Sequence, residues 1–154
     1  MTERPLILDT NLLVLFVVGT ASRDYIAKHK RLTAFTESDY DILQVIVAHA
    51  LAVFVTPNTL TETSNLAAYI AEPARSRVFH VLRRLIETCE EKYIPASSAA
   101  HRPEFIRLGL TDAVLLEAMS AEAALLTTDL DLYLAASAAG ASAVNFNHLR
   151  DSHM

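Results

Sequence analysis

The sequence contains very little cysteine, glycine and proline, and each shortage narrows the classes of protein that it can represent. Its single cysteine, Cys89, excludes an internal disulfide and favours a reducing compartment. A Cys/His zinc site is also disfavoured, because the six histidines have no thiolate partners and no ligand spacing. With three glycines, five prolines and no low-complexity tract, the chain does not have the composition of a disordered protein.

Long apolar runs are also missing. The longest strictly apolar run, Leu12 to Val18, is far shorter than the roughly 18–20 residues that cross a bilayer. The residues from Met1 to Pro5 lack the charged region of a signal peptide. We therefore expect a cytoplasmic protein with no membrane partner.

The rest of the composition is that of one globular domain. The chain has 154 residues, of which 52% are hydrophobic, so it can bury a full core. We assign residues 1–149 to a single domain and expect residues 150–154 to form a disordered tail, because no pattern continues there. The formal charge of −5 gives no general attraction to nucleic acid, although a local basic surface matters more than the total.

Short apolar segments alternate with longer helical patterns along the chain. The predicted strands are residues 6–8, 52–55, 92–95, 124–127 and 143–146. The segment 92–95 is the weakest of them, because a proline is confined to the edge or the end of a strand. This alternation is typical of βα units and predicts an α/β fold with a parallel sheet.

Boundary signals place several of the helices. The segment Thr36 to Asp39 resembles a capping box ahead of a helix over residues 40–51. Pro73 is suited to open the next long helix. Thr111 is predicted to cap a helix over residues 112–121.

Four acidic residues stand where a strand or turn meets the start of a predicted helix, and they are Asp9, Glu62, Asp112 and Asp129. Because such junctions gather at the carboxyl edge of a parallel sheet, these side chains can converge. Carboxylates at close range cannot all stay ionised without a cation, which points to a divalent metal. Each acid also has a local explanation as a turn or cap residue, including a capping box from Thr59 to Glu62.

The segments around these acids resemble the PIN domain nuclease family, including its toxin-like ribonucleases. The matching segments, in the family's order, are Leu8 to Asn11, Leu60 to Asn65, Gly109 to Ala113 and Leu126 to Asp131. The resemblance implies a three-layer α/β/α sandwich with a central, mainly parallel sheet of about five strands. It also implies metal-dependent cleavage of RNA.

The resemblance assigns roles to seven polar residues of these segments. The implied catalytic acids are Asp9, Glu62, Asp112 and Asp129. Asp9, Asp112 and Asp129 are the implied ligands of Mg²⁺ or Mn²⁺, both of which prefer oxygen donors, while Glu62 orients the attacking water. Supporting polar roles fall to Asn11, Thr128 and Asp131, of which Asp131 is equally explained as a helix cap.

Two basic stretches offer weak candidates for RNA contacts. The candidate residues are Lys28, Lys30 and Arg31 in the first stretch and Arg75 and Arg77 in the second. A run of this kind is as often a solvated surface as a phosphate contact.

The leading interpretation is a metal-dependent endoribonuclease, acting as the toxin of a bacterial toxin–antitoxin pair, with an RNA substrate and an antitoxin protein as partners. Two alternatives stay open, a housekeeping RNA-processing nuclease and a non-catalytic PIN-like binding module. The apolar segments 12–18 and 42–51 are expected in the core, or in part at a homodimer contact. A phosphatase of the haloacid dehalogenase type is disfavoured, because Asn11 stands where that type has a second aspartate.

Overall fold

The computed structural model describes residues 4–119 and 123–152. Within them the strands are β1 (Pro5–Leu8), β2 (Ala52–Val55), β3 (Glu90–Glu91), β4 (Ala124–Thr127) and β5 (Ser142–Asn145). The helices on the first part of the chain are α1 (Thr10–Ala21), α2 (Glu37–His49), α3 (Pro57–Ala67) and α4 (Ala74–Thr88). Those on the second part are α5 (Ala96–Ala100), α6 (Phe105–Leu108), α7 (Leu110–Ala118), α8 (Leu130–Ala138) and α9 (Phe146–Asp151).

All five strands are parallel and follow the order β3-β2-β1-β4-β5 in a single sheet. Along the chain, β2 and β3 are added on one side of β1, and β4 and β5 are then added on its other side. This reversal places a topological switch point between β1 and β4, where parallel α/β sheets form a crevice at the carboxyl ends of their strands.

Helices cover both faces of the sheet, which confirms the predicted α/β/α sandwich. Leu6 and Leu8 of β1 pack in one apolar cluster with α1, whereas Ile7 between them packs in another with α7 and α8. Successive side chains of a strand point to opposite faces, so one short strand contributes to both layers.

The two apolar segments of the sequence, 12–18 and 42–51, differ in how deeply they are buried. Every residue of Leu12 to Val18 is buried except Phe16, which is partly buried, so this part of α1 is core as predicted. In α2 only Leu43 of the apolar side chains from residue 42 to 49 is fully buried. Val45 and Leu51 are 53% and 64% exposed, so a core assignment for the whole of 42–51 is wrong.

Two predicted boundaries differ from the structure. The third strand is Glu90–Glu91 rather than residues 92–95, and only the amide of Lys92 continues its pairing, 2.7 Å from the Val55 carbonyl oxygen. Both residues of β3 are exposed glutamates, so no apolar pattern in the sequence indicates this strand. Charged side chains are tolerated here because β3 lies at the edge of the sheet. The helix α7 ends at Ala118, with Met119 as an extended C-cap, rather than continuing to residue 121, which itself lies outside the described residues.

Arg150 anchors the C-terminal helix α9, so the expected disorder from residue 150 is not found up to residue 152. Its guanidinium donates to both carboxylate oxygens of Asp39, at 3.1 and 2.8 Å, and to the Ala34 carbonyl oxygen at 2.6 Å. Asp39 also completes the capping box of α2 with Thr36, which confirms that predicted cap. Residues 153 and 154 lie outside the described part of the chain.

Among the described helices, none is both long enough and apolar enough to cross a membrane.

Candidate active site

A cavity of about 410 Å³ opens at the switch point of the sheet and contains all four predicted acids. It is lined by Asp9, Thr10, Asn11, Glu62, Leu66, Leu108, Gly109, Leu110, Thr111, Asp112 and Asp129. Asp9 directly follows β1 and Asp129 closely follows β4, so these two acids flank the switch point itself. Glu62 comes from α3 and Asp112 from α7, which brings four distant segments to one place.

Asp9 is the most buried of the four acids, with 6% of its surface exposed. One carboxylate oxygen caps α1 by accepting from the Leu12 amide at 3.4 Å, and the other accepts from the Thr127 hydroxyl. Burial raises the pKa of Asp9, hydrogen bonds from Thr127 and Leu12 oppose that rise, and the charge of Asp129 adds to it. The predicted capping role and a place in the cavity are therefore both true of this residue.

Asp129 lies two residues after the end of β4 and directly before α8. Its carboxylate caps α8 by accepting from the Leu132 amide at 3.2 Å. Its own amide donates to the Thr127 hydroxyl oxygen at 2.9 Å. Because that hydroxyl also donates to Asp9, Thr127 joins the two acids on either side of the switch point.

Glu62 lies within α3 and does not form the capping box considered for it, because Thr56 caps that helix instead. One carboxylate oxygen accepts from the Thr10 hydroxyl at 3.2 Å, and the other accepts from the Thr111 hydroxyl. The prediction that Thr111 caps the following helix is wrong, because Thr111 lies inside α7 and its hydroxyl is directed to Glu62. Glu62 is thus held by residues of α1 and α7.

Asp112 shows most clearly that the acids share one electrostatic environment. Burial, followed by the charges of Asp129, Asp9 and Glu62, raises the pKa of Asp112 to about 7 from its ordinary value of 3.8. A carboxyl whose pKa is raised by burial and like charges is a frequent feature of functional sites. A bound cation would remove this repulsion by favouring the ionised form.

The three supporting residues are placed differently. Asn11 is exposed and lines the cavity. Thr128 is linked to α9 through its carbonyl oxygen, which accepts from the Asn147 side chain at 3.3 Å, and its backbone also hydrogen-bonds Asp9. The neighbouring Thr127 contacts the acids through its hydroxyl. Asp131 is exposed in the first turn of α8, where an acid complements the helix dipole, and does not line the cavity. The cap of this helix is Asp129, so the explanation of Asp131 as its cap is wrong.

The hydroxyls of Thr10, Thr111 and Thr127 were not singled out by sequence reasoning as site residues. Each lies within two positions of a predicted acid, in Asp9-Thr10, Thr111-Asp112 and Thr127-Thr128-Asp129. That adjacency is the signal that sequence reasoning could have used. The partner of each hydroxyl, however, depends on contacts across the fold.

The donor set of the cavity suits a hard divalent cation. Within residues 4–119 and 123–152, no three His, Cys, Asp or Glu side chains stand close enough together to hold an ion directly. The acids nevertheless supply only oxygen donors and line a cavity with room for water. Mg²⁺ keeps several waters and takes few carboxylates directly, so Asp9, Asp112 and Asp129 fit it chemically.

A larger cavity, of about 660 Å³, lies between α1, α2 and α4. Its wall is mainly apolar, with Phe16, Val47 and Val81 among its residues. The smaller cavity is the candidate active site, because reaction chemistry requires the convergent polar groups that it contains.

The predicted RNA-contact residues lie outside the acidic cavity. Lys28 ends a 3-10 helix (Arg23–Lys28), and Lys30 and Arg31 follow it. Arg75 and Arg77 lie in the first turns of α4, where the Arg77 guanidinium donates to the Tyr25 hydroxyl at 2.9 Å. The two basic stretches therefore meet, although they are about 50 residues apart.

The chain matches no known protein-family model, and a search of curated proteins finds no significant match. The resemblance to PIN domain nucleases stays a prediction from the four acidic motifs.

Proposed function

We propose that the protein is a metal-dependent endoribonuclease that hydrolyses phosphodiester bonds of RNA. The observation that supports this proposal best is the convergence of Asp9, Glu62, Asp112 and Asp129 on one cavity at the switch point of the sheet. Burial, followed by the charges of the other three acids, raises the pKa of Asp112 to about 7, which a bound cation would reverse.

Asp9, Asp112 and Asp129 would hold Mg²⁺ or Mn²⁺ in this proposal. Such an ion, when bound, neutralises the acids, polarises a phosphate oxygen and makes water a better nucleophile. Asp9 is suited to the central position because it is buried and because hydrogen bonds fix both of its oxygens.

Glu62 is suited to orient the attacking water. The hydroxyls of Thr10 and Thr111 fix both of its oxygens, so the carboxylate is already oriented before substrate binds. In the proposed reaction the water oxygen bonds to phosphorus, the bond from phosphorus to the 3′ oxygen breaks, and that oxygen takes a proton. The products carry a 5′-phosphate and a 3′-hydroxyl.

The partners in this proposal are an RNA substrate, an antitoxin protein and a second copy of the chain. The toxin role is supported by the resemblance alone. Exposed Val45 and Leu51 on and beside α2 are available for a contact between copies. Growth arrest on induction of the wild-type protein, absent for Asp112→Asn, is the result expected of a toxin.

The proposal is tested by cleavage of tRNA, rRNA and mRNA with Mg²⁺, Mn²⁺ or EDTA. Asp9→Asn and Asp112→Asn should lose activity, and EDTA should abolish the activity of the wild type. Asp24→Asn is the matched control, because Asp24 is exposed and lies outside the cavity. Cleavage that continues in EDTA, or that survives Asp112→Asn as well as Asp24→Asn, would contradict the proposal.

A further inference from the structure

Two distant basic stretches meet beside the C-terminal end of α3. The Lys30 amide donates to the Tyr69 carbonyl oxygen at 3.3 Å, and the Arg31 guanidinium carbon lies 5.2 Å from the centre of the Tyr69 ring. On the neighbouring α4, the Arg75 guanidinium carbon lies 4.5 Å from the centre of the Phe79 ring. We call this region the basic aromatic surface, and it consists of Lys28, Lys30, Arg31, Tyr69, Arg75, Arg77 and Phe79.

The cations of this surface are available to an anionic partner. All five are exposed, and within the described residues none forms an ion pair with a carboxylate at contact distance. The nearby carboxylate of Glu72 is occupied by the amide and hydroxyl of Ser76, both at 2.7 Å. The positive charge of Arg75 lowers the pKa of Glu72 only as a minor cause after these hydrogen bonds.

Buried His29 fixes the backbone that carries Arg31. Its Nδ1 accepts from the Arg31 amide at 3.1 Å, so its Nε2 carries the hydrogen and donates to the Ala67 carbonyl oxygen, also at 3.1 Å. His29 therefore joins the first basic stretch to the end of α3. A surface ordered in this way loses less conformational entropy when a ligand binds.

The surface also contains aromatic groups of the kind that bind bases. Tyr69 is 49% exposed and borders a cavity of about 590 Å³, which it shares with Ser64, Asn65, Ala68, Arg75 and Phe79. Aromatic rings and guanidinium planes both stack on unpaired bases, whereas phosphates bind the neighbouring cations. Bases in a duplex are already stacked and do not offer their faces to such a site.

Helix α3 forms a common wall of this cavity and the acidic cavity. Glu62 and Leu66 line the acidic cavity, whereas Asn65 and Tyr69 line the other. Glu62 and Asn65 are three positions apart on α3, which is about 4.5 Å along the helix axis, and Tyr69 lies two residues beyond the end of this helix at Ala67. A single strand lying along α3 can therefore reach both cavities at once.

We propose that the basic aromatic surface is a subsite for unpaired RNA, in which a base stacks on Tyr69 and the flanking phosphates bind Arg31 and Arg75. This inference rests on the proposed function and extends it, because the subsite holds the strand so that a neighbouring phosphodiester lies in the acidic cavity. The substrate it selects is single-stranded at this position.

The test is binding of a short fluorescein-labelled RNA, unstructured or annealed to its complement, measured by anisotropy in EDTA. Tyr69→Ala should weaken binding of the unpaired RNA by about five- to hundredfold, and Tyr69→Phe should restore it. Arg75→Ala should reduce the slope of log affinity against log salt by about 0.7. Tyr93→Ala and Arg84→Ala are the matched controls, because each removes the same residue type outside this surface.

Equal affinity of Tyr69→Ala and Tyr93→Ala for RNA would overturn the inference, as would a preference for the duplex or no binding by the wild type. Cleavage measured with Mg²⁺ separates this outcome from failure of the proposed function. If the wild type cleaves and Tyr69→Ala cleaves with the same KM, the subsite is wrong and the nuclease stands. If binding depends on Tyr69 but no metal supports cleavage, the subsite stands and the nuclease does not.

Discussion

Three threonine hydroxyls fix the geometry of the acids in the candidate active site. Thr127 bonds Asp9, and Thr10 and Thr111 bond the two oxygens of Glu62. A carboxylate that accepts hydrogen bonds at both oxygens has little freedom to rotate. Catalysis by an oriented group depends strongly on such positioning.

Removing the Thr111 hydroxyl should therefore lower kcat without a comparable change in KM. Thr111→Val keeps the shape of the side chain but leaves one oxygen of Glu62 without its donor. We expect a loss of about tenfold in kcat, the scale of one hydrogen bond to a charged group, and recovery in Thr111→Ser. Steady-state kinetics of RNA cleavage measures both constants.

Thr61→Val is the matched control for this experiment. Thr61 precedes Glu62 on α3, but its hydroxyl donates to the Pro57 carbonyl oxygen at 2.8 Å and not to an acid. An equal loss of kcat in Thr61→Val and Thr111→Val would show that the hydroxyl of Thr111 has no specific role.

Asp112 gives the protein a defined dependence of stability on pH. Its pKa is raised to about 7 in the folded state, so between about pH 4 and 7 the folded protein retains a proton that the unfolded chain has released. The free energy of unfolding should therefore fall as pH rises through this window. Asp112→Asn should lose much of that decline, because an amide does not titrate.

Urea denaturation in EDTA at several pH values between 5 and 8 measures this effect. The wild type should lose stability relative to Asp112→Asn as pH rises, and Mg²⁺ at pH 8 should restore it in the wild type alone. Parallel pH profiles of the two proteins in EDTA would show that neither burial nor the other acids raise the pKa of Asp112 in the folded protein.

At the scale of helices, α1 begins after its N-cap, Asp9, and packs against α2 near its C-terminal end, at Gly19. A Cβ atom at Gly19 would lie 2.2 Å from a ring carbon of Tyr40, which is far inside van der Waals contact. The Tyr40 hydroxyl lies 3.0 Å from the Thr20 hydroxyl and so holds the ring in this position. Glycine is required here for close approach of the two helices.

Gly19→Ala should destabilise the protein even though alanine favours a helix by about 1 kcal/mol. Overpacking of a core costs about 1–3 kcal/mol, and a contact with a hydrogen-bonded ring is expected near the upper end of that range. Comparison of the free energies of unfolding in a double-mutant cycle with Tyr40→Ala isolates the clash. In the Tyr40→Ala background, Gly19→Ala should be neutral or stabilising, and an unchanged penalty there would place its cause elsewhere.

The fold as a whole explains why sequence reasoning located the acids but not their partners. Asp9 follows β1 directly and Asp129 lies two residues after β4, so the rule that parallel strands share a carboxyl edge was enough to bring them together. Glu62 bonds residues 52 and 49 positions away, and no local pattern specifies those pairs. The same limit applies to Arg150, whose contact with Asp39 spans 111 positions and orders a segment expected to be disordered.

The predicted boundaries of two elements were wrong because the local sequence pattern did not match the structure that the chain forms there. Glu90–Glu91 forms an edge strand through backbone pairing with β2, and it contains no apolar side chain from which a strand could be predicted. Thr111 lies directly before an aspartate as a cap would, yet α7 begins one residue earlier, at Leu110. Gly109, with a φ of 88°, ends α6 and is itself the N-cap of α7.

Calorimetric titration with Mn²⁺ at pH 7.5 tests most directly whether the four distant acids form one cation-binding cavity. The wild type and Asp24→Asn should bind with equal affinity, whereas Asp112→Asn and Asp129→Asn should each bind much more weakly. Saturable binding that is the same in all four proteins, or no binding by the wild type, would contradict the account.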